Sequence, residues 1–184
     1  MIDKDKIISV IGLGYIGLPT AALLASKGYS VKGMDISEHV VETINKGEIH
    51  IVEPDLDAYV RSGVANGKLI AYTKVQPADI YLICVPTPFH KGADIPMPNV
   101  DYVSEAVKNI SPYIKNGDML ILESTSPVGT TEMIKNILEE DLIDTSNIFI
   151  AYCPERVLPG KIMTELVDNP RVIGGINKES SEVV

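Results

Sequence analysis

"VIGLGYIGLPTAALLASKGYSVKGMD", residues 10–35, carries Gly12, Gly14 and Gly17 in GxGxxG spacing. The glycines directly follow the apolar run Ile7–Ile11 and open the apolar segment Ile16–Lys27. The run has strand composition and the segment helix length; a second strand, Ser30–Met34, then leads into Asp35. In that order each glycine has a physical task. Gly12 makes a tight turn, Gly14 lets the backbone approach a pyrophosphate, and Gly17 lets helix and strand pack closely, with the helix N-terminus facing the phosphates. Asp35, about 20 residues on, stands where a carboxylate accepts hydrogen bonds from ribose hydroxyls. The plainer reading is a Gly-rich turn with nothing bound and Asp35 as a loop residue. It does not account for strand, glycines, helix, strand and acid arriving together. A carboxylate repels a 2′-phosphate and no arginine follows in "DISEHV", so the cofactor expected is NAD rather than NADP.

The same rhythm continues along the chain. Strands are expected at Leu69–Tyr72, Ile80–Val85, Met119–Leu122, Ile148–Tyr152 and Arg171–Ile173, and helices at Glu38–Asn45, Leu56–Ala65, Val100–Tyr113 and Thr130–Asp141, with Asn99 as a cap. Strands as uniformly apolar as "YLICV" and "MLIL" suit a sheet covered on both faces. The fold class expected is α/β, a doubly wound parallel sheet in a single domain spanning residues 1–184. Four prolines make residues 85–99 too irregular for a connecting turn, which marks them as a functional loop. The tail "NPRVIGGINKESSEVV" ends as a new helix starts, with Ser180 and Ser181 as candidate caps, so the chain reads as cut short.

Composition narrows the partners. With 184 residues and 45% apolar content, the chain can build a core. A net charge of −9 argues against nucleic acid, whose binding requires cations to displace counterions from phosphates. The charge-free stretch Ile7–Ser26 has the length of a membrane span, but three glycines, a proline and a flank of balanced charge fit the glycine turn better. The two cysteines, Cys84 and Cys153, have no metal-ligand spacing, so no metal site is expected. They suggest a reducing, cytoplasmic setting. His39, His50 and His90 lie scattered in polar surroundings and read as solvated surface residues.

Three loops fall at expected strand ends, where ligands of open parallel sheets bind. "CVPTP" brings Val85, Pro86 and Thr87, and "ESTSPVGTT" brings Ser124 and Thr125. Their hydroxyls either face the nicotinamide end of the cofactor or satisfy their own backbone in Pro-containing turns. In "YCPERVLPG", Glu155 is placed to act as an acid or base or to orient water, or else to pair with Arg156. Cys153 precedes a proline, with no helix N-terminus or histidine evident to activate it, so it reads as a partly buried strand-end thiol rather than a nucleophile.

In this order, the opening stretch, "VPTP", "ESTSPVGTT" and "CPERVLPGK" resemble the N-terminal half of the nucleotide-sugar 6-dehydrogenases, the UDP-glucose dehydrogenase superfamily. The resemblance covers essentially the whole chain. "PERVLPG", where UDP-glucose enzymes read PEFLxEG, is similar to the branch that oxidises UDP-N-acetylmannosamine or UDP-N-acetylglucosamine. It implies an NAD-dependent oxidation of the C6 alcohol of a UDP-N-acetylhexosamine to the uronic acid, for cell-surface polysaccharide synthesis. It also implies that Gly12, Leu13, Gly14, Tyr15, Ile16, Gly17 and Asp35 hold the adenosine diphosphate portion of NAD. Val85, Pro86, Thr87, Ser124 and Thr125 would line the nicotinamide end. Thr125 and Glu155 would position an active-site water, and Arg156, Val157 and Leu158 would meet the sugar. Pro159 departs from the pattern, standing where UDP-glucose enzymes carry a second glutamate. The family's catalytic cysteine and its UDP-binding and dimerisation domains belong to a second half absent here, so this chain is expected to bind NAD without completing the reaction. UDP-glucose and UDP-N-acetylglucosamine are the alternative substrates. A non-catalytic NAD-sensing module and a hydroxyacyl or phosphogluconate type of dehydrogenase share the first motif, but give no reason for the later loops.

Overall fold

The computed structural model describes residues 3–90, 92 and 96–184. Seven strands form one sheet: β1 (Ile7–Ile11), β2 (Ser30–Met34), β3 (Leu69–Tyr72), β4 (Ile80–Ile83), β5 (Met119–Leu122), β6 (Phe149–Tyr152) and β7 (Gly174–Gly175). Their spatial order is β3-β2-β1-β4-β5-β6-β7; all neighbours are parallel except β6 and β7. Successive strands are added outward on one side from β1 to β3 and on the other from β4 onward, so the carboxyl ends of β1 and β4 define the switch point at which such sheets bind ligands.

Alternation along the strands builds two cores. Ile8, Val10, Ile80 and Leu82 face one cluster with α1 (Gly17–Ser26) and α3 (Leu56–Ala65). Ile11, Tyr81 and Ile83 face the other with α4 (Asp101–Ile110) and α5 (Thr130–Glu140). Both faces are covered, which is why the strands show no polar side. The charge-free stretch is thereby explained: it supplies β1, the turn and α1, a helix packed against the sheet, α3 and α6 (Ile162–Asp168). Ala21, Ala22 and Ala25 are buried along α1, and a Cβ on Gly63 of α3 would stand 3.2 Å from that of Ala25. Small residues let the two helices approach closely. No helix among the described residues is long and apolar enough to cross a membrane.

At one sheet edge Asn45, the last residue of α2 (Glu38–Asn45), mimics a strand. Its side-chain amide donates to the Ala71 carbonyl at 2.9 Å and accepts from the Ala71 N–H at 2.8 Å, blunting β3 as a pairing template. The other edge is the two-residue β7, backed by α7 (Lys178–Val183).

Several boundaries differ from the sequence reading. The last strand is Gly174–Gly175 rather than Arg171–Ile173, because Arg171 turns inward to an ion pair with Glu123 while Val172 and Ile173 face outward. The seven-residue α6 follows Gly160 and has no side-chain cap of its own; its first amide, on Ile162, is met by Glu53, 109 residues away. Windowed sequence reading cannot see such a partner. The final helix does start at the tail, capped by Asn177 rather than a serine. Helix α4 starts at Asp101, one residue later than expected, with Val100 at the cap position; Asn99, just before it, accepts from the Asp101 N–H. The 85–99 loop folds back on itself: Phe89 and Pro98 form a bridge, with His90 N–H donating to Met97 O. Its residues 91 and 93–95 lie outside the described ones.

A Cβ on Gly17 would overlap the Gly12 carbonyl, and both groups are held by strand and helix. Gly17→Ala is therefore expected to cost on the order of 2 kcal/mol by overpacking, read as a lowered urea midpoint with an unchanged m-value.

Candidate active site

At the switch point the β1–α1 turn forms a cradle. Gly12 has φ +89°, and a Cβ there would stand 2.7 Å from the Cys84 carbonyl, so glycine is required twice over. At Gly14 nothing lies within 4 Å of where a Cβ would stand, leaving open space above the backbone. The N–H groups of Gly14, Tyr15 and Ile16 have no acceptor among the described residues, and the first turn of α1 holds no acidic side chain. Free amides at a helix N-terminus make an anion site. Asp35, just past the end of β2, borders the cradle: one carboxylate oxygen accepts from Leu13 N–H and the other from Ser37 N–H, each at 3.0 Å. Both bonds orient the carboxylate at the mouth of the cradle.

A cavity of about 400 Å³ runs from this cradle along the strand ends, lined by Gly12, Gly14, Tyr15, Ile16, Asp35, Cys84, Val85, Pro86, Thr87, Glu123, Ser124, Thr125 and Glu155. It gathers ten of the twelve expected cofactor residues, together with Glu155. The remaining two act from behind: Leu13 is fully buried against Gly33, and Gly17 is buried at the helix start. Arg156, Val157 and Leu158 lie outside the cavity lining, on the loop beyond Glu155.

The hydroxyls divide between the two readings left open by the sequence. Ser124 Oγ donates to Val85 O at 2.7 Å and Thr87 Oγ1 to Thr125 O at 2.6 Å, which cross-links the loops after β4 and β5. Of the three, Thr125 alone keeps a side-chain hydroxyl with no partner among the described residues. Glu155 pairs with no cation there; one of its oxygens accepts from Val157 N–H at 2.9 Å. The alternative of a salt bridge with Arg156 is therefore not what the structure contains.

Two features escaped the sequence reading. A second cavity of about 350 Å³ adjoins the first across Gly12 and Asp35 and is lined by Ile36, Tyr102, Glu105, Ala106 and Asn109 among others. A largely apolar slot beside the Asp35 carboxylate suits a planar base. Only Ile36 was adjacent to a recognised motif; the α4 residues arrive by folding. Beneath the first cavity lies Glu123, 4% exposed, whose carboxylate accepts from Cys84 Sγ at 3.2 Å and Thr20 Oγ1 at 3.3 Å. Arg171 Nη1 stands 3.0 Å from its other oxygen. This is an ion pair without hydrogen-bond alignment.

Neither thiol is activated. Burial pushes the Cys84 thiol well up, and the Glu123 charge adds to it. Burial likewise raises Cys153, with Arg171 pulling partly back. Both thiols are held protonated, the opposite of a nucleophile's environment. Among the described residues no cluster of ligating side chains could hold a metal ion.

His50 departs from the expectation of a solvated surface residue, which His39 and His90 meet by being exposed. It is half-buried, and its Nδ1 has no partner among the described residues. Burial lowers its imidazole from the ordinary value, Asp35 opposes the shift and His39 adds to it.

These elements define a dinucleotide-binding domain of the doubly wound class. The chain belongs to the UDP-glucose/GDP-mannose dehydrogenase family, as its NAD binding domain, the family model matching residues 6–184. It is 54% identical to the UDP-N-acetyl-D-mannosamine dehydrogenase of Yersinia pestis, over 95% of this chain and 43% of that protein. Against the NDP-N-acetyl-D-galactosaminuronic acid dehydrogenase of Ralstonia nicotianae the identity is 51%, over 98% of this chain and 44% of that protein. The structure of the UDP-D-ManNAc dehydrogenase from Pyrococcus horikoshii superimposes with a TM-score of 0.89 at 38% identity, covering 96% of this chain and 43% of that one. The chain thus spans less than half the length of the relatives it matches.

Two outcomes separate cradle from scaffold. Gly14→Ala is expected to leave stability within about 0.5 kcal/mol, because its methyl meets open space, and to weaken NAD binding about tenfold or more in calorimetry, because the second glycine of a GxGxxG turn is where a pyrophosphate approaches. His50, with a folded value below its unfolded one of about 6.5, contributes stability above that pH which is lost as pH falls toward the folded value. In an NMR titration its midpoint lies below that of free histidine, and Asp35→Asn moves it lower still.

Proposed function

We propose that this chain is the NAD-binding half of an NAD-dependent UDP-N-acetylhexosamine 6-dehydrogenase whose substrate is UDP-N-acetyl-D-mannosamine. The observation that carries the reading is the single cavity joining the phosphate cradle, the Thr125 hydroxyl and the Glu155 carboxylate, with the "RVLPG" loop at its rim. The names of relatives such as those of Yersinia pestis and Ralstonia nicotianae, dehydrogenases of an acetamido sugar or an acetamido uronic acid, support the substrate class.

When bound, NAD⁺ supplies the hydride acceptor. The residues present fit it: free amides of Gly14, Tyr15 and Ile16 receive the pyrophosphate, Asp35 the ribose hydroxyls, and the slot at Ile36 and Tyr102 the adenine. Ser124 and Thr87 hold the two loops at the nicotinamide end in register. The Glu123 and Glu155 carboxylates line this end, where negative charge favours a cationic ring. Thr125 and the unpartnered oxygen of Glu155 position a water, and Arg156, Val157 and Leu158 face the sugar. Oxidation of a primary alcohol to a carboxylate removes four electrons, so two NAD⁺ are consumed per sugar. Both protonated thiols are unsuited to covalent catalysis, and that role falls to the second half, which also supplies the rest of the sugar-nucleotide site and the dimer contact. The setting that suits free thiols and a nucleotide-sugar substrate is the cytoplasm.

Isolated residues 1–184 are expected to bind NAD⁺ in calorimetry, prefer it over NADP⁺, and turn over no UDP-sugar. Joined to its second half, the protein is expected to yield two NADH per UDP-N-acetylmannosamine, with UDP-glucose and UDP-N-acetylglucosamine slower. NAD⁺ binding with no turnover of any of the three sugars by the whole protein would favour the sensing-module reading instead.

A further inference from the structure

Glu53 is 5% exposed and lies in the segment between α2 and α3, far in sequence from every motif above. One of its carboxylate oxygens accepts from Gly160 N–H and the other from Ile162 N–H, both at 2.8 Å. No cation pairs with it among the described residues. A buried carboxylate without a counter-ion is costly unless its hydrogen bonds are short and well placed. The turn that presents it is itself unusual: Asp55, two residues on, has φ +66°, a left-handed conformation that disfavours a residue with a side chain.

The loop it grips has few other hydrogen bonds to the rest of the domain at its far end. Pro154 and Pro159 have no N–H to donate. Val157 N–H is taken by Glu155 and Leu158 N–H by Glu165 at 2.8 Å, while Lys161 N–H turns back to Leu158 O. Asn169, just past α6, donates from its side-chain amide to Arg156 O. All of these are bonds within the loop and its own helix. Ile162 and Met163 are buried at this end, but among the described residues only Glu53 ties residues 160–162 to the body of the domain by hydrogen bonds, on the side of α1 and α3.

We infer that Glu53 is a positioning residue for sugar recognition: its bidentate grip on Gly160 and Ile162 sets where Arg156, Val157 and Leu158 stand relative to the cofactor cavity. The inference rests on the proposed sugar-facing role of those residues. A mere helix cap would affect stability alone. A positioning residue affects how well the sugar is held while leaving the cofactor cradle, on the other side of the cavity, unaltered.

The test compares the full-length enzyme with its Glu53→Ala and Glu53→Gln variants; Glu53→Gln keeps side-chain volume and one acceptor, guarding against a failure to fold. Removing two charge-assisted bonds in Glu53→Ala is expected to raise KM for the UDP-sugar about tenfold or more, and Glu53→Gln less, with KM for NAD⁺ within about twofold in both. Hydrogen exchange on the same proteins is expected to speed up at the Gly160 and Ile162 amides while β1 amides keep their protection. If the UDP-sugar KM stays at the wild-type value, or rises in step with that for NAD⁺, in a variant whose 160–162 amides have been released, the inference is overturned. Wild-type enzyme that oxidises no UDP-sugar would instead overturn the functional reading, and the exchange data would still report whether Glu53 holds the loop.

Discussion

Helix α1 can approach the end of β1 only because Gly17 has no side chain, and the rest of the molecule is arranged around that approach. With the helix start resting against the Gly12 carbonyl, the Gly14, Tyr15 and Ile16 amides of the turn that leads into it have no acceptor among the described residues. The same closeness demands a thin, apolar helix. Alanines on α1 meet Gly63 on α3, and the sheet face beneath them is wholly aliphatic. A stretch that resembles a membrane span in composition is therefore a consequence of packing a helix between a sheet and two other helices.

A second theme is the use of acids as acceptors for backbone amides. Asp35 orients the glycine turn, Glu155 and Glu165 shape the loop after β6, and Glu53 fixes that loop to the body of the domain. In an acidic chain with few spare cations, N–H groups are the available partners, and charge-assisted bonds to them are short and directional. Glu123, beneath the cavity, is instead balanced by Arg171. That ion pair pulls the chain inward after α6 and displaces the last strand by three residues from where its β-branched residues alone would put it.

Much of the fold was legible because parallel strands buried on both faces read as short apolar runs, and the first six were found to within two residues at either end. The cradle was legible for a different reason: glycine spacing is a local geometric requirement, and Asp35 follows at a distance that one helix and one strand determine. What could not be read were partners brought together across the sheet. Tyr102 and Asn109 reach the second cavity from α4; Arg171 reaches Glu123 from beyond α6; Glu53 reaches Gly160 across more than a hundred residues. No periodicity or spacing encodes these meetings.

By itself, the sequence determined the sheet, the switch point and the residues that line the cradle, since each depends on local backbone conformation or on side chains close along the chain. Tertiary structure alone decided which polar groups remain available there. Ser124 and Thr87 have their hydroxyls on neighbouring loops, Thr125 has not, and both thiols are kept protonated by burial. The physical reason is that hydrogen-bond saturation and desolvation are set by whatever packs against a group, and its neighbours in space come from distant parts of the chain.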